Sequence, residues 1–277
     1  MNFTKEIITS RNNPTVKLVA SLKDKKGRDS LGLFLAEGEK LTYEAIEADL
    51  NIEKIFVCES KAEKILPKLR ALDNKTNASR ANVLLLADSV FEKISTENSP
   101  QGVISVIKHL DFFRQTDIIY KEEFSQNNCG RSICLCSVRD PGNLGSAIRS
   151  AVAFGTEHII LSSDCADIYN PKTVRGAMGS LFRVKITRVS DMIEYIKAMQ
   201  ANGRRVYSAE LSKSAKSLLE VDLSEWDSVI IGNEGHGVDA DISAACDGGI
   251  YIPISVKTES LNAAVAAAIF MWEQSKK

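Results

Sequence analysis

The stretch Ser260-Leu261-Asn262-Ala263-Ala264-Val265-Ala266-Ala267-Ala268-Ile269 constrains this chain more than any other. A helix of Ala, Val and Ile has no bulky face, so neighbouring chain can approach its backbone closely on every side. Ser260 and Asn262 stand at its start, where the first four backbone N–H groups lack helical partners and short polar side chains make favourable caps. The pattern predicts a tightly packed terminal helix with hydrogen-bonding groups at its mouth. Two other polar blocks, around Asn143 and Glu234, are candidates to converge on it.

A chain of 277 residues makes one large or two ordinary domains. No apolar run is long enough to span a bilayer, and Met1-Asn2-Phe3-Thr4-Lys5-Glu6 has no apolar h-region, so neither membrane anchor nor signal peptide is expected. The cysteines (58, 129, 134, 136, 165 and 246) form no C-x-x-C pair and only three histidines accompany them. Free thiols in a reducing cytoplasm are expected, and no metal site. A net charge of −1 argues against indiscriminate coating of nucleic acid. Residues 1–28 nevertheless hold Lys5, Arg11, Lys17, Lys23, Lys25, Lys26 and Arg28 against Glu6 and Asp24. That segment is either a phosphate-binding patch or a solvated helix and loop.

Strand-like and helix-like segments alternate, which predicts an α/β protein. Strands are expected at 32–36, 52–58, 83–86 and 102–107, with helices near 39–48 and 62–72 and a polar loop at 73–82. Residues 109–130 are polar with scattered aromatics and read as a linker. A second α/β unit follows. Ile133–Val138 is a continuous apolar run, as in a strand buried on both faces. Further strands are expected at 158–161, 205–209, 228–231 and 250–254, and helices at 145–154, 171–178, 191–201 and the C-terminus.

Three blocks follow strands of this second unit, where parallel α/β sheets gather ligands. The first is Asp140-Pro141-Gly142-Asn143-Leu144-Gly145-Ser146-Ala147-Ile148-Arg149. Arg149 offers a permanent cation with a fork of donors, suited to a phosphate or a developing oxyanion; the bland alternative is an Asn cap and a surface Arg. The second is Gly232-Asn233-Glu234-Gly235-His236-Gly237, whose glycines let backbone approach a ligand or turn with positive φ. The third runs from Ile252-Pro253-Ile254 to Ser260-Leu261-Asn262. Neither of the first two matches the dinucleotide fingerprint or the P-loop, which leaves a nucleotide-dependent dehydrogenase without its usual support.

In order, placement and spacing the three blocks resemble the motifs of the SpoU (TrmH-like) family, RNA ribose 2′-O-methyltransferases of the SPOUT superfamily. Asn143, Gly145 and Arg149 match motif one, Gly232, Asn233, Glu234 and Gly237 motif two, and Pro253, Ser260, Leu261 and Asn262 motif three. Residues 170–182 are similar to the family's segment between motifs one and two. Residues 7–108 resemble its N-terminal RNA-binding domain, related to ribosomal protein L30e.

The resemblance implies an L30e-like α/β domain over 1–108, a linker over 109–130, and a SPOUT methyltransferase domain over 131–277. The latter is a parallel sheet with a deep trefoil knot that binds S-adenosylmethionine. It implies cofactor-binding roles for Gly232, Asn233, Glu234, Gly237, Ile252, Ile254, Leu261 and Asn262. It also implies catalytic roles for Arg149, Asn143, Glu234, Ser260 and Asn262. A guanidinium does not give up its proton in proteins, so Arg149 is expected to grip phosphate and stabilise the alkoxide rather than act as a base. The implied partners are RNA, ribosomal (23S) before transfer RNA, and a second copy of the chain packed through the catalytic domain, in the cytoplasm. Val256 stands where the family commonly has Gly, and His236 where it often has Arg. The Val256 change and the L30e-like half also admit a different class, a ribosome-assembly factor without catalysis.

Overall fold

The structure is a computed structural model that describes residues 1–73, 81–111, 113–116, 130–233, 235–255 and 257–276. The expected loop at 73–82 and linker at 109–130 fall mostly outside these residues, as do Glu234 and Val256.

The described elements run β1 (Asn2–Ile8), α1 (Pro14–Ser21), α2 (Lys25–Leu31), β2 (Leu33–Glu37), α3 (Glu39–Glu47), β3 (Ile52–Cys58), α4 (Ala62–Asp73), β4 (Asn82–Leu86), α5 (Asp88–Ile94) and β5 (Val103–Lys108). They continue with β6 (Phe113–Thr116), β7 (Ser132–Leu135), α6 (Pro141–Ala153), β8 (His158–Ser162), α7 (Pro171–Ala177), β9 (Lys185–Val189), α8 (Met192–Ala201), β10 (Val206–Ala209), β11 (Lys216–Ser217), β12 (Ser228–Ile231), α9 (Ala240–Ala245), β13 (Gly248–Tyr251) and α10 (Ala263–Ser275). Several helices start on one device: an Asx side chain accepts a backbone N–H while proline, which has none to satisfy, takes the first helical position. Asn13-Pro14, Asp140-Pro141 and Asn170-Pro171 open α1, α6 and α7 this way.

The chain divides into two compact units, residues 1–110 with 167–182, and residues 111–166 with 183–277. In the first, a five-stranded mixed sheet has the order β1-β4-β3-β5-β2. β1, β4 and β3 are parallel, and β5 runs antiparallel to both β3 and β2. Val16, Val19 and Leu22 of the N-terminal helices and Val90, Phe91 and Ile94 of α5 fill its core against Leu35, Phe56 and Val106.

Two expectations change here. Segment 167–182, inside the span read as the second domain, packs with the first unit. Asp167 accepts from Arg28 Nε and Nη2 at 3.0 and 2.7 Å, and the Tyr169 ring stacks on Phe34 and His109, with centroids 4.7 and 4.1 Å apart. For the same reason Arg28 leaves the basic patch: it is 2% exposed and also donates to the carbonyls of Leu22 and Lys23.

In the second unit an eight-stranded sheet has the order β11-β13-β10-β12-β7-β8-β9-β6, with every neighbouring pair parallel. β6 comes from the stretch read as linker and forms the edge beside β9. β7 and β12 are buried at every residue, as a strand covered on both faces requires. β7 stops before the expected Val138, because Ser137 turns into the left-handed region at φ 56°. Helix α6 starts four residues before the expected Gly145, which puts Arg149 two turns inside it rather than one. Since the strands are parallel, the carboxyl ends of β7, β10, β12 and β13 lie on one edge of the sheet, and the site is built there.

Candidate active site

The loop after β12 turns back on itself. The Asn233 N–H donates to the Gly237 carbonyl and the Gly237 N–H to the Asn233 carbonyl, both at 2.9 Å. The Asn233 amide oxygen accepts from the Gly235 N–H at 2.8 Å, and its Nδ2 donates at 3.0 Å to the Ser137 carbonyl after β7. Gly237 has φ 71°, which only glycine adopts freely. Gly232 is required for another reason: a Cβ there would sit 2.1 Å from the Gly237 carbonyl carbon and oxygen and 2.3 Å from the Val238 nitrogen. Two lengths of backbone touch where the side chain would be.

Helix α10 begins as its sequence predicts. The Asn262 Oδ1 accepts from the N–H groups of Ala264 and Val265 at 2.9 and 3.3 Å. Its Nδ2 donates to Asn143 Oδ1 at 2.9 Å, joining the first and third blocks directly. Asn143 is therefore not the cap of α6. Asp140 caps it, its carboxylate accepting from the Asn143 N–H at 2.9 Å, and the Asn143 side chain is left to meet Asn262. α10 packs along α6.

A cleft of about 360 Å³ opens at this edge of the sheet, within the usual range of small-molecule sites. The end of β12 supplies Ile231, Gly232, Asn233, Gly235 and Gly237; β13 and its exit supply Ile250, Tyr251, Ile252 and Ile254. Glu259, Ser260 and Leu261 close it, with Ala263, Ala266 and Phe270 of α10 behind. The alanines let the helix backbone approach the cleft wall. Of the residues expected at a cofactor, Gly232, Asn233, Gly237, Ile252, Ile254 and Leu261 line this cleft, and so does Ser260 from the expected catalytic set. Asn262 does not line it. It borders a second, open groove between α6 and α10, with Ser146, Ser150, Phe154, Val265 and Trp272. Arg149 is exposed on α6 and lines neither cavity. Glu234 lies outside the described residues.

The sequence reading missed the third wall, Ala209-Glu210-Leu211 at the carboxyl end of β10. Glu210 accepts from Ser208 at 2.7 Å, from Ser212 at 2.8 Å and from Ser243 of α9. Burial would push its carboxyl upward, but the three hydroxyl donors outweigh that and hold it below the usual glutamate value. A strand end in a parallel sheet was the available signal; the serine cage, assembled partly from residue 243, was not.

The SpoU rRNA Methylase family model matches residues 130–272, and the MRM3-like substrate binding domain model matches residues 13–105. The chain belongs to the SpoU rRNA methylase family. Among its relatives, the Bacillus subtilis 23S rRNA (guanosine(2553)-2'-O)-methyltransferase RlmP is 32% identical over 265 residues, 96% of this chain and 97% of the relative. A Streptomyces viridochromogenes 23S rRNA (uridine(2479)-2'-O)-methyltransferase is 26% identical over 96% of this chain and 90% of the relative. Among solved structures, an AdoMet-bound rRNA methyltransferase from Sinorhizobium meliloti superposes with a TM-score of 0.83 at 28% identity, covering 98% of this chain and 97% of that one. The α/β fold with its parallel sheet is thus that of solved SpoU-family enzymes.

Proposed function

We propose that this protein transfers a methyl group from S-adenosylmethionine to a ribose 2′-OH of 23S ribosomal RNA. The observation that carries the reading is the cleft itself: motif residues from two separate blocks line it at the carboxyl ends of parallel strands, in a member of the SpoU family. The residues present fit the cofactor. Ile231, Ile250, Ile252, Leu261 and Phe270 give apolar walls for a flat base. The close backbone at Gly232 forms a rigid edge, and Asn233 and Ser260 supply polar groups. S-adenosylmethionine supplies an electrophilic methyl carbon on a positively charged sulfur.

The chain's own residues then have distinct tasks. The Asn262–Asn143 hydrogen bond holds the mouth of α10 to α6, so the elements carrying Ser260 and Arg149 keep a fixed relation. Arg149, exposed and charged, is free to meet the RNA phosphate and to stabilise the oxygen as its proton leaves to solvent, an electrostatic role. Ser260, Glu234, Asn143 and Asn262 are assigned to orienting the ribose and the arginine, and Gly232, Asn233, Gly237, Ile252, Ile254 and Leu261, which line the cleft, to holding the cofactor. Alignment of the hydroxyl with the methyl carbon alone lowers the barrier by several kcal/mol.

The finer architecture belongs to the same reading. A trefoil knot is supported by β13 lying between β10 and β11 in the sheet. A homodimer through the catalytic domain is supported by Val265 and Trp272, 48% and 49% exposed on α10 beside the apolar groove. The first unit, matched over residues 13–105 by a substrate-binding model, is assigned to RNA, and the second unit to catalysis. No helix among the described residues is long and apolar enough to cross a membrane, and the cytoplasm, where ribosomal RNA is found, is the proposed compartment.

The test is transfer of labelled methyl from S-adenosylmethionine to ribosomal and transfer RNA, with ribose methylation mapped on 23S RNA. Label in 23S RNA at a ribose supports the reading. Label in transfer RNA alone overturns the substrate, and cofactor binding without any labelled RNA overturns the activity.

A further inference from the structure

Among its described lining residues the cleft carries charge of one sign. The charged side chains there are Glu210 and Glu259. Glu259 is exposed, as is Lys257 two residues before it, so water and salt screen both. Glu210 is partly buried and fixed. Ser208 and Ser243 donate to its Oε2 and Ser212 to its Oε1. Gly249 leaves the space it occupies, since a Cβ there would lie 2.5 Å from Oε1. A carboxylate held ionised against walls of Ile, Leu and Phe exerts a stronger field in the cleft than one in open water.

We propose that Glu210 makes this cleft selective for a cationic ligand, holding S-adenosylmethionine more tightly than the product S-adenosylhomocysteine. The inference rests on the proposed methyl transfer. Substrate and product share the adenosine and the amino-acid group. They differ by the methyl and by the positive charge on sulfur. On transfer the ribose oxygen gains the methyl and loses its proton to solvent, while the electron pair of the broken carbon–sulfur bond stays on sulfur, which becomes neutral. Attraction to Glu210 is lost in that same step, so the spent cofactor leaves more readily than the fresh one.

The test is calorimetric titration of the full chain, wild type and Glu210→Gln, with S-adenosylmethionine, S-adenosylhomocysteine and sinefungin, which carries an ammonium in place of the sulfonium methyl. Wild type is expected to bind both cations about tenfold more tightly than S-adenosylhomocysteine, equal to about 1.4 kcal/mol. Glu210→Gln should lose most of that preference while its affinity for S-adenosylhomocysteine changes little, which also shows that it is folded. An unchanged preference in Glu210→Gln overturns the proposal. Should Glu210→Gln bind none of the three, Glu210→Asp decides: a restored cation preference supports the charge, and loss of all binding makes the residue structural and overturns it. If wild type binds no ligand at all, the proposed methyl transfer fails first and this inference with it.

Discussion

Asn262→Ala removes two things at once, and the geometry allows them to be separated. The Oδ1 caps α10 through Ala264 and Val265, and the Nδ2 bridges to Asn143. Losing an N-cap of this kind costs about 1 kcal/mol, within a range of about 0.5–2. A neutral amide–amide hydrogen bond is worth about 0.5–1.5 kcal/mol, and this one, exposed to water, belongs near the lower end, ~0.5. The alanine variant should therefore lose ~1.5 kcal/mol. For a unit of this size that corresponds to a fall in Tm of about 3–6 °C. Asn262→Ser keeps a capping oxygen and loses the bridge, so it should lose ~0.5 kcal/mol. Asn143→Ala should lose a similar amount, and a double-mutant cycle between Asn143→Ala and Asn262→Ala should give a coupling of ~0.5 kcal/mol. The assays are thermal and urea melting of the whole chain, and hydrogen exchange at Ala264 and Val265, whose amides lose their acceptor only when the cap is gone. Because Ala263 and Ala266 line the cleft, fraying of α10 should weaken S-adenosylmethionine binding more in the alanine than in the serine variant. A serine variant as destabilised as the alanine would refute the capping argument, and zero coupling in the cycle would refute the bridge.

Other consequences can be checked in the same way. Gly232→Ala places a Cβ 2.1 Å from the Gly237 carbonyl where ordinary contact begins at 3.4 Å, so backbone must move by about 1.3 Å. It should cost about 1–3 kcal/mol by denaturation and lower cofactor affinity at least tenfold by calorimetry. Gly237→Ala meets no neighbour within 4 Å and should cost only the ~1–2 kcal/mol of a left-handed backbone, by the same denaturation series. Arg149→Ala should keep cofactor affinity, since the side chain lies outside the cleft, but lose most turnover; equal loss of both in titration and kinetics would make Arg149 structural. Asp167→Asn takes the carboxylate partner from the 2%-exposed Arg28, whose bonds to the Leu22 and Lys23 carbonyls remain, and should destabilise the first unit by up to about 3 kcal/mol, read by denaturation of the chain with hydrogen exchange in β2 and α7. Burial, then the neighbouring Cys134, Asp247 and Glu210, push the Cys246 thiol up to about 12, and burial raises Cys136 further. The reactive thiolate is scarce below that value, so alkylation followed by mass spectrometry should be slow at pH 8 and rise with pH for Cys246 before Cys136.

What could be read in the sequence follows the reach of each signal. β7, β8 and β12 were legible because strands buried on both faces are written as apolar runs. β1 and β6 were not, since they lie at sheet edges, and β1 carries exposed Lys5 and Glu6. β9 was missed because Arg188 interrupts its alternation, its guanidinium reaching back to the carbonyls of Ser163, Cys165 and Ala166. The membership of segment 167–182 in the first unit rests on Arg28 and Asp167, 139 positions apart, and no local pattern announces such a pair.

The site divides along the same line. Asn143, Ser260, Asn262 and the Gly232–Gly237 loop were visible because each stands where a strand hands over to a loop or helix, and the chemistry of a cap or a tight turn is local. Their convergence was inferred, and the structure supplies its physical form as one hydrogen bond between Asn143 and Asn262 and one from Asn233 Nδ2 to the Ser137 carbonyl after β7. Glu210 escaped because a lone acid among serines reads as a surface turn, while its function depends on Ser243 and on the missing side chain of Gly249. Arg149 is the opposite case. Its residue type and spacing marked it, yet alone it points to solvent and bounds neither cavity. A cation outside the proposed cofactor cleft of its own chain does not touch a ligand held there, so the part proposed for it is exerted on a group that arrives from outside the chain. A ribose-phosphate presented across the mouth of the cleft is such a group, and a reaction whose nucleophile belongs to RNA requires the cation to stand where RNA can reach it.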